Sequence, residues 1–342
     1  MPTDTTATGV LLVNLGTPDS PTPRDVRRYL REFLSDPRVL SMPAPARWLL
    51  LNAIILPTRP KRSAHAYAQI WTDAGSPLLQ NGIALRDAVA DELGDRYRVE
   101  LAMRYGQPDV PSALERLLAA GVRRATLLPL FPQYSEAATG SVIAHVETCR
   151  ARRAPDLSLE TIRDFHTDPG FIRAVVDAAQ PTLSEFQADH LLLSFHGLPE
   201  SQVRENPGCL DDSNCCSVQS ERNRGCYRAQ CFASSRALTS ALGLEADGVT
   251  TSFQSRMGRA RWIQPASEVV IRSLAERGVR RLAVLCPAFV ADCLETLEEI
   301  GIRLRATWQE VGGEELALCP CPNAHPTWVR AVADLVRTRA KG

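Results

Sequence analysis

The sequence predicts an α/β protein made of two similar halves, each built on a parallel sheet. Three observations carry this. Short apolar runs alternate with helical patterns along the whole chain, as βαβ units require. Several runs, residues 191–193 among them, are apolar without alternation, the pattern of strands buried on both faces. The chain also reads as duplicated. Gly121-Val122-Arg123-Arg124 leads into a buried strand, Pro129, Phe131 and a helix; Gly278-Val279-Arg280-Arg281 leads into a buried strand, Pro287, Phe289 and a helix. The join falls near residues 165–169. This divides the chain into an N-terminal domain over 8–165, a C-terminal domain over 166–322, and a helix over 325–340 that packs back on the first. The cleft between the halves is the expected pocket.

Composition narrows the function. The 342 residues are 44% hydrophobic, ample for two ordinary domains. Lys+Arg and Asp+Glu are both 39, so there is no net charge and no basic run to suit nucleic acid. Residues 1–9 are polar and carry no export signal, which predicts a cytoplasmic protein. Ten cysteines in such a chain point to metal, catalysis or burial rather than to a disulfide framework.

Element by element, residues 10–16 form a buried first strand that ends at Gly16-Thr17-Pro18, and a helix starts near Thr22-Pro23 with proline in its first turn. Asp36-Pro37, Pro43 and Pro45 break the next segment. Residues 47–56 are apolar almost all round and too short for a bilayer span of roughly 20 residues. They read as a core helix or, in the sharper alternative, as a lip that touches a membrane. Arg59, Lys61 and Arg62 then crowd together before Tyr67 and Trp71, as a solvated basic turn or as a grip on an anionic, partly aromatic ligand. Strands follow over 99–103 and 125–131, the second closing on Pro132-Gln133-Tyr134-Ser135.

In the second half the strand 191–193 runs into Ser194-Phe195-His196-Gly197-Leu198-Pro199. Turn residues Gly197 and Pro199 place His196 at the carboxyl end of a central strand, where open α/β sheets bind ligands. The strand 282–286 precedes Asp292-Cys293-Leu294-Glu295, the start of a helix. Asp292 and Glu295 have the spacing of a capping box, in which the glutamate serves the backbone. The functional alternative turns Glu295 toward His196, with Glu298 and Glu299 continuing an acidic line. Five cysteines, Cys209, Cys215, Cys216, Cys226 and Cys231, lie in a polar stretch over 205–231. A loop of that length without a core needs a staple, and four thiolates could hold zinc or an iron–sulfur cluster.

The motif 194–199, together with Phe253-Gln254-Ser255-Arg256 and the run 292–299, resembles ferrochelatase, the family that inserts ferrous iron into a porphyrin. Val13-Asn14-Leu15-Gly16, Gly75-Ser76-Pro77, Arg104-Tyr105 and Pro132-Gln133-Tyr134-Ser135 extend the likeness over nearly the whole chain. The resemblance implies two Rossmann-like domains around a porphyrin cleft. It implies that His196 is the active-site histidine and Glu295 its paired carboxylate, both also candidate contacts of the substrate iron. From the first half it implies that Leu15, Arg59, Arg62, Tyr67, Arg104 and Tyr105 line the porphyrin pocket or its lip. Tyr134, Ser135, Gln254, Ser255, Trp262 and Phe289 complete that set. It further implies a wide-turned helix from residue 292 and a second histidine, in some members, where this chain has Cys293. The cysteine-rich insert resembles that of bacterial members with an internal 2Fe–2S cluster, held by four of the five cysteines and only one of the adjacent pair.

The chemistry suits these residues. Metallation removes two pyrrole protons while iron sheds water, so a base whose pKa lies near working pH is needed, with a carboxylate to take the other proton or pass the metal. Arginines and aromatic walls suit a flat apolar disc with propionates. The lip favours poorly soluble protoporphyrin IX, received at the inner membrane face from the preceding porphyrin-making enzyme; coproporphyrin III, with four propionates, is the alternative. A cobalt or nickel chelatase, or a non-catalytic iron–sulfur or porphyrin carrier of the same fold, is the rival reading.

Overall fold

The computed structural model describes residues 7–204, 209, 215–256, 258 and 260–339. Residues 1–6 of the polar N-terminus, 205–208 and 210–214 of the cysteine-rich stretch, and residue 340 of the expected last helix lie outside them.

Among the described residues two four-stranded sheets form, and every pairing in both is parallel. The first contains β1 (Thr8–Gly16), β2 (Tyr97–Tyr105), β3 (Arg124–Pro129) and β4 (Ser158–Thr161), in the order β2-β1-β3-β4. The second contains β5 (His190–His196), β6 (Val249–Gln254), β7 (Arg281–Leu285) and β8 (Glu315–Leu318), in the order β6-β5-β7-β8. The permutation is the same in each, so the duplicated sequence pattern corresponds to a duplicated topology. Periodicity did not reveal the edge strands β4 and β8, which are four residues each and only partly buried.

The chain divides into two compact units. One comprises Met1–Phe131, Ser135–Asp164 and Val329–Gly342; the other comprises Pro132–Tyr134 and Phe165–Trp328. In the first, Leu11, Val13 and Leu127 of the sheet pack on Val110, Leu114 and Leu117 of the helix Val110–Ala119. In the second, Leu192 and Val284 pack on Ile271, Ile300 and Trp308. Central strands are buried on both faces, which is why their sequence is apolar without alternation.

The segment after the first helix departs from the expected core helix and basic turn. Residues 44–70 are helical throughout: an α-helix Ala44–Leu49, a π-helical stretch Leu50–Ile55 and an α-helix Leu56–Ile70. Pro57 and Pro60 cannot donate backbone hydrogen bonds, so the preceding turns lose partners and the helix widens. The Leu56 carbonyl, which Pro60 cannot reach, accepts from Arg27 Nη1 at 2.9 Å. Within the apolar run 47–56 only Leu51 and Leu56 are buried, while Trp48, Leu49 and Ile54 are 58–66% exposed. Arg59, Lys61 and Arg62 follow on helix, not on a turn, with Arg59 half-buried and the other two exposed.

A π-helix follows β3 (Glu136–Gly140), and a longer one follows β7 (Leu294–Leu304). Such stretches are rare and concentrate at functional sites. The last helix, Pro326–Arg339, falls within the predicted 325–340, and Arg337 Nη2 donates to the Glu92 carbonyl at 2.9 Å.

Candidate active site

β5 ends at His196 because Gly197 follows. A Cβ at 197 would lie 2.6 Å from the Gln254 carbonyl oxygen, so only glycine lets the chain pass. The Gly197 amide donates to that same carbonyl at 2.8 Å. The His196 ring folds over the next peptide, with Nδ1 2.6 Å from the Gly197 carbonyl oxygen. A carbonyl only accepts, so in the neutral ring Nδ1 carries the proton and Nε2 keeps its lone pair. Trp262 and Phe289 flank the ring at 6.5 and 6.3 Å between centroids. His196 is half-buried, so Nε2 presents a base in partly apolar surroundings.

The carboxylates come from the π-helix Leu294–Leu304. Its N-cap is Cys293, whose side chain accepts from the Thr296 amide while Thr296 Oγ1 accepts from the Cys293 amide at 3.0 Å. The capping box predicted from Asp292 and Glu295 therefore lies one residue later, between Cys293 and Thr296. Asp292 instead accepts from Asn323 Nδ2 at 2.7 Å and Thr296 Oγ1 at 3.2 Å. Glu295, relieved of the backbone, is half-buried in the first turn, beside the Cys293 thiol. Gln254 anchors that turn by donating to the Glu295 carbonyl at 2.7 Å.

The wide turn puts Glu299 on the same side. Ser255 clamps its carboxylate twice, the amide to Oε1 and Oγ to Oε2, both at 2.7 Å. To do so Ser255 adopts φ +68°, a conformation unusual outside glycine. Burial pushes the Glu299 carboxyl above its ordinary value and Glu295 adds to the rise, against the Ser255 hydrogen bond and the charges of His196 and Arg303. Glu298 does not continue the acidic line: it turns away to Arg303 Nε at 2.9 and 3.0 Å.

Comparison with known proteins shows the family of the chain. The ferrochelatase family profile matches residues 7–340. The chain belongs to the ferrochelatase family. The ferrochelatase of Azotobacter vinelandii is 49% identical over 336 residues, which cover 96% of this chain and 98% of its own. That of Coxiella burnetii is 45% identical over 333 residues, covering 96% and 93%. The sirohydrochlorin chelatase SirB of Bacillus subtilis subspecies spizizenii, solved with cobalt, superposes with a TM-score of 0.55 over 98% of this chain and 96% of its own. At 11% identity that likeness concerns the fold alone.

The other residues implied by the ferrochelatase resemblance are distributed as follows. In the second unit, Gln254 is buried and bonded to Ser194 Oγ at 2.8 Å, and Trp262 is bridged to Pro199. The half-buried Tyr134 is fixed through its amide by Gln230 at 2.6 Å. In the first unit, Leu15 is half-buried near the end of β1, and Tyr67 stacks edge-on with Tyr29 and Trp71. Ser135 caps the shorter π-helix through the Ala138 amide. Arg104 donates to Asp36 at 2.6 Å, and the buried Tyr105 hydroxyl donates to the same carboxylate at 2.9 Å. Asp36 itself escaped sequence reasoning, since Asp36-Pro37 reads as a break. The clamp on Glu299 escaped it too, because Ser255 lies 44 residues away.

Among the described residues, no three or more His, Cys, Asp or Glu side chains are arranged to hold a metal ion. The insert's thiols nevertheless gather: Cys209 Sγ lies 3.5 Å from Cys226 Sγ, and Cys215 Sγ lies 3.7 Å from Cys216 Sγ. Arg228 Nη1 donates to Cys216 Sγ at 3.1 Å. No helix among the described residues is long and apolar enough to cross a membrane.

Proposed function

We propose that the chain inserts ferrous iron into protoporphyrin IX, with His196 and the Glu295–Glu299 pair dividing the two pyrrole protons. The observation that carries this is the His196 ring, held through Nδ1 by the Gly197 carbonyl so that Nε2 is the basic atom. Metallation exchanges two N–H protons for one divalent ion, so the macrocycle needs two proton acceptors and no oxidant. Nε2 takes one proton. Glu299, whose carboxyl burial already biases toward the protonated form, takes the other, and Glu295 lies beside it to relay the ion or the proton. Iron is the substrate here, and its passage calls for few, exchangeable ligands rather than a closed cage. Leu15, Arg59, Arg62, Tyr67, Arg104, Tyr105, Tyr134, Ser135, Gln254, Ser255, Trp262 and Phe289 are the proposed porphyrin-binding set.

An anaerobic assay with ferrous iron tests this reading. Formation of iron protoporphyrin is expected. Porphyrin binding without turnover would establish the carrier alternative, and a higher kcat/KM for coproporphyrin III would reassign the substrate.

The exposed Trp48, Leu49 and Ile54 support a reversible membrane lip, since each apolar side chain buried in lipid contributes roughly 1.5–3 kcal/mol. Porphyrin hand-over from the preceding enzyme at the inner membrane face belongs to the same proposal. Flotation with phospholipid vesicles tests it.

For the insert, the thiols suffice in number for a 2Fe–2S cluster, and two pairs of them, Cys209 with Cys226 and Cys215 with Cys216, lie close together. Cys209, Cys226, Cys231 and one of Cys215 and Cys216 would hold it. Burial raises the Cys209 and Cys231 thiols, so a bound metal is what would make them thiolates. When bound, the cluster would supply a structural staple for a stretch that lacks a core. Purified protein with about two irons per chain in excess of substrate iron is the expected result. Stoichiometric zinc would replace it with a zinc site.

A further inference from the structure

The helix Tyr227–Ala241 begins immediately after Cys226, and its first side chain reaches the catalytic strand. Tyr227 is buried, and its hydroxyl donates to the His196 carbonyl at 2.7 Å. The other side of that peptide is also bonded, since the Gly197 amide donates to Gln254. Both polar groups of the 196–197 peptide are therefore fixed from opposite sides. The next carbonyl, Gly197, is the acceptor that holds His196 Nδ1. Its position follows from the plane of the peptide before it, so the orientation of one tyrosine hydroxyl propagates to the imidazole.

We propose that Tyr227 is a positioning residue for His196, fixing the peptide from which the imidazole takes its tautomer and its aim. The proposal rests on His196 being the base. It gives the insert a physical link to the site: Cys226 immediately precedes the helix that presents Tyr227, and the Cys231 thiol, one turn further, lies within hydrogen-bonding reach of the same hydroxyl. Without the Tyr227 donor, the His196 carbonyl loses this hydrogen bond, and the peptide is less firmly held in its plane.

Tyr227→Phe removes one oxygen and keeps the ring. The expected result is a fall in kcat of about tenfold with the porphyrin KM changed less than about twofold, the mark of an interaction that serves the transition state. Long-range ¹H–¹⁵N spectra of histidine-labelled protein give a readout independent of turnover, and with six histidines the spectrum is tractable. His196 is expected as the Nδ1–H tautomer in the parent and as a tautomer mixture in the variant. An unchanged tautomer together with an unchanged kcat overturns the proposal. A parent that shows the tautomer but no turnover rejects the enzymatic reading and leaves the positioning role standing. Should Tyr227→Phe lose the fold, 4-aminophenylalanine at 227, a weaker donor of similar shape, takes its place: a lowered kcat at constant KM supports the role, and an unchanged kcat refutes it.

Discussion

The two halves share strand order, yet they treat the carboxyl ends of their sheets in opposite ways. Thr8 pairs with Arg124 in one sheet, and His190 pairs with Leu282, one residue beyond Arg281, in the other. Counted from those arginines, Leu15 stands where His196 stands, and Gly16 where Gly197 stands. Tyr105 pairs with Gly16, so Ser255, next after the partner of His196, holds the equivalent place. Each of these two residues grips a carboxylate. Burial would raise Asp36, but hydrogen bonds from Ser141, the Arg38 amide and Tyr105, with the Arg104 charge, hold it below its ordinary value. Burial prevails at Glu299, whose carboxyl is raised. One half keeps its carboxylate ionised as a structural tie, and the other keeps its carboxylate ready to accept a proton. On the proposed function, the same topology thus serves stability on one side and chemistry on the other, the difference lying in what faces the carboxylate.

The largest test of that contrast exchanges the register-equivalent residues. His196→Ala is expected to cut turnover by about 10²–10⁴ while porphyrin binding, read by fluorescence quenching, persists. Leu15→Ala is expected to cost less than about tenfold, mainly in KM. Comparable losses in kcat for both would erase the division of labour.

Glu299→Gln is expected to reduce kcat by about 10² and yet to raise thermal stability near neutral pH. The sign follows from linkage: a carboxyl with a raised folded pKa favours the folded state only while protonated, and that stability is lost as pH rises through its folded value. The gap between variant and parent should close as the pH falls below about 4.5, the ordinary value. A variant that melts lower than the parent at pH 7 would point to a purely structural Glu299.

Asp36→Asn should behave in the opposite sense, costing about 3 kcal/mol near neutral pH because Arg104 is left buried without its countercharge. Here the folded pKa is depressed, so the stabilisation is present above the ordinary value of 3.8 and is lost as pH falls through the folded value. Urea melts at pH 7 and in acid check this: a difference that persists unchanged in acid would contradict the ionised tie.

The smallest effect is expected at the lip. Replacing Trp48 and Ile54 with serine should leave the melting temperature within about 2 °C, since both are largely exposed. Vesicle association should weaken by about tenfold or more. Unchanged flotation would remove the lip from the first half's role.

Local patterning in the sequence determined the alternating α/β plan, the duplication, the strand end at His196 and the family. Buried parallel strands announce themselves as apolar runs, and glycine and proline mark where those runs must stop. The short edge strands β4 and β8 were not legible, because four largely unburied residues carry no distinct period. Tertiary structure alone decided which partner each carboxylate takes. The helix start at Cys293 rather than Asp292 turns on whether Asp292 finds Asn323, 31 residues away, and the placing of the Glu299 carboxylate turns on Ser255, 44 residues away. The exposure of Trp48 and Ile54 was likewise undecided, since an apolar run reads alike whether packed or bare. The reason is common to all three: burial and long-range hydrogen bonds depend on what the fold brings alongside a residue, which its sequence neighbours do not specify.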